Sequence, residues 1–371
     1  MKKTLKALLS IMLVLVLITG CGKKNDKPSG AAGDDEEFTL TVWVHPFVDA
    51  AKRSEMDKVY DKMVEDYKEK YPKANIVFEE IPWANREQKI TTTLAAGEGP
   101  DIFYLIPDQL TQFAEDGVIT PIDEIVKDLK KDEFSQASLD AVSYKGKLYG
   151  LPMLRTTETL MYNQKIADEL GIDVEAIKTW DDFLEAAAKA KEAGYYARTF
   201  EGGNTLNSNL YPLIWQAGGN VADADNNVLI DEPEAIKAFE FVQEMYEKGY
   251  IPEDSINAAS HMDHFVDGRS LAVWTAGRGL AVIKDQVDFD VTIGDPLKAE
   301  GGERATYGTT GAFVVSSISE NKEKAAEFLQ VMTDLDNMRE FNIVTAYIPP
   351  RPAAHDMFEG DEDLLKMAEL D

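Results

Sequence analysis

Phe38-Thr39-Leu40-Thr41-Val42-Trp43-Val44 is the stretch that decides the fold. It is rich in β-branched and aromatic residues and reads as an opening strand. Working outward, residues 52–71 carry Met56, Val59, Met63 and Tyr67 at helical spacing, with charges between them. Asn75 to Ile81 reads as a second strand. A helix follows over about 87–96 and stops at Gly97. Asp101-Ile102-Phe103-Tyr104-Leu105 is a third, nearly all-apolar strand. Strand, helix, strand, helix, strand implies a parallel sheet covered on both faces. Ligands of such sheets bind beyond the carboxyl ends of the strands. The loops after Trp43, Glu80 and Leu105 are therefore the first places to seek a site.

Further along, the chain becomes mostly helical. Thr179 reads as an N-cap with Asp182 three residues on, a capping-box variant, and the helix runs through Ala186–Ala188 and Ala190 to Gly194. A second helix, about 234–248, is expected to turn Ile236, Phe239, Val242 and Met245 inward. A third, about 322–333, packs Ala325, Phe328, Leu329 and Met332. No internal repeat is visible at a period of 20–50 residues.

Composition narrows the function. The chain has 371 residues, which suggests about two domains. It carries 67 acidic and 38 basic residues for a net charge of -29, and this argues against nucleic acid, which needs clustered Lys and Arg. A single cysteine forbids an internal disulfide and every multi-cysteine metal site. Lys2, Lys3 and Lys6 precede an apolar run, Ala7 to Ile18, too short to span a bilayer. The run ends in Leu17-Ile18-Thr19-Gly20-Cys21, which looks like a bacterial lipobox: residues 1–20 form a signal peptide, and lipid on Cys21 anchors the chain. Removing that leader takes away three lysines and no acid, leaving -32. Residues 21–37 hold no large apolar residue before Phe38 and read as a flexible tether.

The order of several further motifs is similar to the extracellular solute-binding proteins of ABC importers, specifically the maltose-binding-protein-like carbohydrate group. The matching segments are Gly97-Glu98-Gly99-Pro100-Asp101-Ile102, Asp116-Gly117-Val118-Ile119-Thr120-Pro121, Tyr144-Lys145-Gly146-Lys147-Leu148-Tyr149-Gly150 and Leu160-Met161-Tyr162-Asn163. Thr179-Trp180-Asp181-Asp182-Phe183, Gly218-Gly219, Phe265-Val266-Asp267-Gly268-Arg269-Ser270 and Pro349-Pro350-Arg351 follow in the family's order. The resemblance implies a periplasmic-binding-protein-like α/β fold, with two α/β lobes joined by a three-segment hinge and a ligand cleft between them. Crossovers are expected near 152–156, 294–296 and 342–345. The N-terminal lobe would then be 38–152 and 297–342, and the C-terminal lobe 156–293 and 343–371. The family continues for several dozen residues past its Pro-Pro-Arg region. This sequence ends at Asp371, so any cleft residue from such a tail is not among the candidates.

Sugar recognition needs flat apolar faces for the ring and planar polar groups for the hydroxyls. Trp43, at the end of the first strand, suits either the core or the cleft, and His45, Pro46 and Phe47 follow it. Trp83 is better placed, beside Pro82, and Glu80 lies at the same strand end. Asp108 follows the third strand, where it can meet a hydroxyl or favour a helix dipole. The resemblance turns the segment Arg155-Thr156-Thr157-Glu158 toward the cleft, and Arg155 is the leading candidate because a guanidinium can fork onto adjacent oxygens. It also implies that Glu201, Asn204 and Asn207 border the cleft. Arg278 and Tyr307 sit in loops at strand edges. Trp180 and Trp215 read as structural.

Two other motifs carry weaker chemistry. His261-Met262-Asp263-His264 puts two histidines on one helical face, yet it reads as a surface helix because no His-Glu-x-x-His is present. Asp223-x-Asp225-x-Asn227 resembles a calcium loop, but Val228 stands where that loop needs glycine, so a turn is expected. No catalytic set, metal site or cofactor motif stands out. The reading is a monomeric, lipid-anchored receptor on the outer face of the bacterial cell membrane, not an enzyme. It would bind a mono- or oligosaccharide and deliver it to the permease subunits of an ABC transporter. Alternatives are a sugar acid (Arg155, Arg278), a polyamine (Glu80, Asp108, Glu201), a surface glycan-degrading enzyme, or a scaffold lipoprotein.

Overall fold

The computed structural model describes residues 36–126, 128–203, 206–223, 227–258 and 262–370. The leader, Cys21, most of the tether, Asn204, Asp225 and His261 lie outside these residues. The described strands are β1 (Phe38–Val44), β2 (Ala74–Glu80), β3 (Ile102–Leu105), β4 (Ser143–Tyr144), β5 (Lys147–Leu148), β6 (Gly150–Asn163), β7 (Tyr196–Arg198), β8 (Ser270–Ala276), β9 (Val291–Ile293) and β10 (Tyr307–Val315). The described α-helices are α1 (Arg53–Lys68), α2 (Arg86–Ala95), α3 (Leu110–Glu115), α4 (Gln136–Ala141), α5 (Gln164–Leu170), α6 (Trp180–Glu192) and α7 (Leu206–Gln216). They continue with α8 (Pro233–Glu247), α9 (Met262–Val266), α10 (Gly277–Lys284), α11 (Lys322–Met332), α12 (Leu335–Thr345) and α13 (Glu362–Glu369).

β1 pairs in parallel with β2 along its whole length and with β3 at Val42 and Trp43, as the alternation of strands and helices implies. β10 then runs antiparallel between β3 and β6, and β6 continues to β8, β7 and β9. One sheet therefore runs through two cores. The first gathers Leu40, Val42, Phe103, Leu151, Leu154, Phe313 and Phe341, under α1, whose Met56, Val59, Met63 and Tyr67 are all buried. The second gathers Leu160, Tyr162, Phe183, Ile214, Phe241 and Leu271. A third packs Met161, Phe265, Val273, Ile348 and Met367 on the opposite face of β6 and β8. Leu160 and Tyr162 point one way and Met161 the other, because successive side chains of a strand alternate.

Two long strands join the cores. The β6–β10 register shifts between Gly311 and Ala312, so that Leu154 faces Gly311 and Pro152 faces Ala312, leaving Met153 unmatched. A bulge is a place where a strand tolerates proline, which brings no N–H. The Met153 carbonyl is satisfied instead by the Asn342 side-chain amide of α12, 3.0 Å away. Past α12 the chain turns at Ala346, which has a positive φ of 57°, and Ile348 exchanges two backbone hydrogen bonds with Arg155.

Three local expectations meet the structure differently. Leu297 and Ala299, counted above with the N-terminal lobe, pack in the second core, and the Ala299 N–H bonds the Gln216 carbonyl. The return to the first core comes at Ala312, within β10. On α8, Ile236 and Phe239 are exposed, whereas Ala235, Ala238, Phe241 and Met245 are buried. The small alanines let that helix sit close on its neighbours. Thr179 caps α6 as expected, with a reciprocal bond from Asp182. Trp180 is buried, stacked on Phe241 and donating its indole N–H to Gln216. Trp215, read as core, is only half-buried.

Candidate functional site

Where β6 and β10 pass between the cores, their side chains become polar. A cavity of about 510 Å³ opens there. Pro107 and Asp108 after β3 and Ala137 and Ala141 of α4 line it from the first core's side. Asn207 and Tyr211 of α7 line it from the second. Arg155, Thr156, Tyr307, Gly308, Thr309 and Thr310 of the crossing strands form its floor. A hollow twice as large, about 1060 Å³, lies among Tyr67, Leu129, Phe134, Val331 and Arg351. These residues gather on the first core, where Arg351, counted above with the C-terminal lobe, bonds the Thr333 carbonyl and Glu133, so a ligand there would meet that core alone. Binding drives a closure only if the ligand favours the closed state over the open one. The smaller cavity, walled from both sides, is the candidate site.

Four sequence candidates meet in it: Asp108, Arg155, Asn207 and Tyr307. Arg155 is buried, and desolvation holds its guanidinium below the usual arginine range. Tyr307 receives a hydrogen bond from the Asn207 amide at 3.2 Å. Its hydroxyl is pushed up to about 12, first by burial and then by the nearby carboxylates Asp108 and Glu158. The Trp215 ring lies parallel to Tyr307, with centroids 6.4 Å apart and planes within 8°, and Tyr211 meets Trp215 edge-on. Tyr211 was not singled out from the sequence, and Trp215 was read as structural. Their signal was the position of Tyr211-Pro212-Leu213-Ile214-Trp215 just after the polar Glu201–Asn207 loop.

Other candidates lie elsewhere. Trp43 is a core residue: its indole N–H donates to Glu79 at 2.9 Å and Lys89 covers its ring. Glu80 pairs with Arg53 of α1 on the outer surface. Trp83 is half-buried in a first-lobe aromatic cluster. Its ring stacks on His45 at 4.1 Å and meets Tyr104 and Phe47 edge-on, while Arg86 lies 5.6 Å from it. His45 accounts for that order, since its Nδ1 is 2.9 Å from the Ile81 carbonyl. Burial lowers His45 to about 4, so the ring is neutral and Nδ1 carries the donated proton. Arg278, at the start of α10, reaches across to Asp49 of the β1 loop at 3.3 Å instead of lining the cavity. Glu201 is half-buried beside Glu158.

Glu158 stands directly opposite Tyr307 in the β6–β10 ladder. Directly opposed residues of an antiparallel pair share a face, so Glu158 shares the Tyr307 face. Burial raises its carboxyl to about 7; Ser208 and the Trp274 N–H, turned toward it, pull it partly back, and Glu201 adds to the rise. No group of three metal-ligating side chains occurs among the described residues. Asp223 instead accepts two bonds from Asn227, from its backbone N–H and its side-chain amide.

The fold and this inter-lobe cavity define a two-lobed binding protein with its candidate site at the crossing strands. Residues 62–368 match the family model described as bacterial extracellular solute-binding protein, and the chain belongs to that family. The maltotriose-binding protein of Pyrococcus abyssi is 28% identical over 301 residues, covering 79% of this chain and 63% of that protein. The arabinooligosaccharide-binding protein of Bacillus subtilis is 26% identical over 343 residues, covering 88% of this chain and 75% of that protein. The chain thus spans less than two thirds of the length of the first of these relatives. Among solved structures, a cyclo/maltodextrin-binding protein complexed with maltotetraose superposes with a TM-score of 0.74 at 21% identity, covering 92% of this chain and 86% of that one. Maltose-bound MalE3 of T. maritima gives 0.74 at 20% identity, covering 90% and 87%. These likenesses establish a periplasmic-binding-protein fold.

Proposed function

We propose that this chain is a receptor that captures a saccharide between its lobes, leaves it chemically unaltered and delivers it to the permease of an ABC importer. Lipid on Cys21 would hold it at the outer face of the cell membrane as a monomer, with lobes divided near the polar stretches of β6 and β10. The observation that carries the reading is the inter-lobe cavity. Its hydroxyl-reading groups Asp108, Arg155 and Asn207 surround the flat ring of Tyr307, the mixture a sugar requires. The names of the relatives, binders of maltotriose and arabinooligosaccharide, support the ligand class. The sugar-acid alternative loses one of its two cations, since Arg278 is engaged by Asp49. The polyamine alternative loses Glu80 to Arg53.

A thermal-shift screen tests this with maltotriose, arabinotriose, galactobiose, glucuronate and spermidine. A ligand at 100 times its Kd adds about 2.7 kcal/mol to stability. A shift with the neutral saccharides and none with the others supports the reading. Shifts only with spermidine or glucuronate overturn it. Release of monosaccharide during prolonged incubation would sink the non-enzymatic part.

A further inference from the structure

Glu158 is the one acid on the polar stretch of the two crossing strands, and it sits between the lobes. Two residues before it on the same face of β6, Thr156 lines the cavity; opposite it, Tyr307 does the same. Ala276 of β8 pairs with it on the other side. Ser208 approaches its carboxyl from α7. The Trp274 indole N–H, which has no other hydrogen-bond partner, is directed at it from β8. The charged groups around it come from several elements. Glu201 repels its ionised form directly, and Asp108 joins Glu158 in acting on Tyr307. Arg198 lies behind the Trp274 ring, 5.3 Å from its centre, with its own guanidinium given to Asn209 and the Thr199 carbonyl. Glu158 therefore stands at the cavity's edge toward the second core, next to Thr156 and Tyr307 but not itself among the lining residues, with a like charge beside its carboxyl and no cation hydrogen-bonded to it among the contacts described.

Resting on the receptor reading above, we infer that Glu158 reads an uncharged saccharide in its protonated form, donating its O–H to a ligand oxygen, so that each binding event draws a proton from solvent. Closing two lobes over the carboxyl removes further water and disfavours the charged form. A neutral ligand brings no cation to offset that cost, whereas a cationic amino sugar would. The sign of proton linkage thus separates these two ligand classes. With a carboxyl that titrates near 7, a ligand confined to the protonated form binds about tenfold more weakly at pH 8 than at pH 6, because the competent fraction falls by that factor.

The test is calorimetric titration of the folded receptor with maltotriose, arabinotriose and chitobiosamine. It is run at pH 7 in two buffers of different ionisation enthalpy, then across pH 6–8. Net proton uptake with a neutral sugar, and affinity falling about tenfold from pH 6 to pH 8, is the expected result. Glu158→Gln, a permanent donor of similar shape, should abolish both the uptake and the pH dependence. A neutral sugar that binds with no uptake, or with release, overturns the inference and leaves the receptor reading standing. A variant that keeps the uptake overturns it likewise. A chain that binds no saccharide at any of these pH values overturns both. The wild-type uptake alone decides the matter if the variant does not fold.

Discussion

Gly311→Ala tests how tightly the crossing strands are fitted to the first core. Gly311 ends the polar stretch of β10 at the bulge against β6. A Cβ built there would lie 2.0 Å from the Tyr104 hydroxyl oxygen and 2.6 Å from two of its ring carbons. Real Cβ contacts do not come so close, so something must shift. The obstacle is a rigid ring, not the end of a flexible chain. Tyr104 is 4% exposed. Its ring is met edge-on by His45, Phe47, Trp83 and Phe313, at centroid distances from 5.0 to 5.9 Å. Adding a methyl against such a wall costs about 1–3 kcal/mol. For a lobe-sized cooperative unit this lowers the unfolding midpoint by about 2–12 °C. Scanning calorimetry of the ligand-free protein measures it. Tyr104→Phe removes the nearest obstructing atom but not the ring carbons, so it should recover part of the loss in the Gly311→Ala background. The two changes should then couple by about 0.5 kcal/mol or more. An alanine variant as stable as the parent would refute the reasoning, and so would a phenylalanine that deepens the loss additively.

Two further outcomes follow from the same geometry. His45 is held well below its ordinary value by burial, to about 4. A base neutral when folded and protonated when unfolded loses stability as pH falls from about 6.5 to 4, by up to roughly 3 kcal/mol for this group. Urea unfolding of the parent and of His45→Asn at pH 7, 5 and 4 should show the parent losing more stability on acidification, and parallel curves would contradict this. The Arg278–Asp49 pair ties α10 to the β1 loop across the cleft. Exposed pairs contribute about 0.2–1 kcal/mol, so Asp49→Asn should weaken every ligand alike by up to about fivefold. Molar salt should erase that difference; a loss confined to one sugar would instead make Arg278 a ligand contact.

How much of this was legible in the sequence depends on the range over which each signal acts. The β1–α1–β2 and α6 elements were readable because strand pattern, helical spacing and the Thr179–Asp182 cap are settled within a few residues. Asp108 was placed by one topological rule, that parallel strands present ligands at their carboxyl ends. Trp43 escaped because its fate rests on Glu79, 36 residues away. Arg278 escaped because its partner Asp49 is 229 residues away. α8 misled for another reason. Ile236 and Phe239 form a convincing apolar stripe, but hydrophobicity does not say whether a helix packs by large residues or by close approach of small ones. The ionisation state of Glu158 depends on Ser208, Trp274 and Glu201 together, and no local pattern encodes such a meeting.

One signal in the sequence was stronger than its reading. β6 is apolar through Leu154, polar from Arg155 to Thr159, and apolar again from Leu160. β10 is polar or glycine from Tyr307 to Gly311 and apolar from Ala312. A polar run in the middle of a long central strand sits poorly in a dry core, since each buried hydroxyl or charge there needs its own partner. The ladder sets the two runs against each other: Arg155 faces Thr310, Thr156 faces Thr309 and Glu158 faces Tyr307. The sheet can stay continuous only if water or a ligand lies against that stretch. Arg155, Thr156 and Tyr307 to Thr310 therefore lie between the two cores and line the cavity. A substitution that makes this stretch apolar, such as Thr156→Val with Thr309→Val, should preserve the sheet while removing hydroxyls a saccharide needs. Intact folding with lost sugar affinity is the expected outcome, and retained affinity would mean that the ligand is read elsewhere.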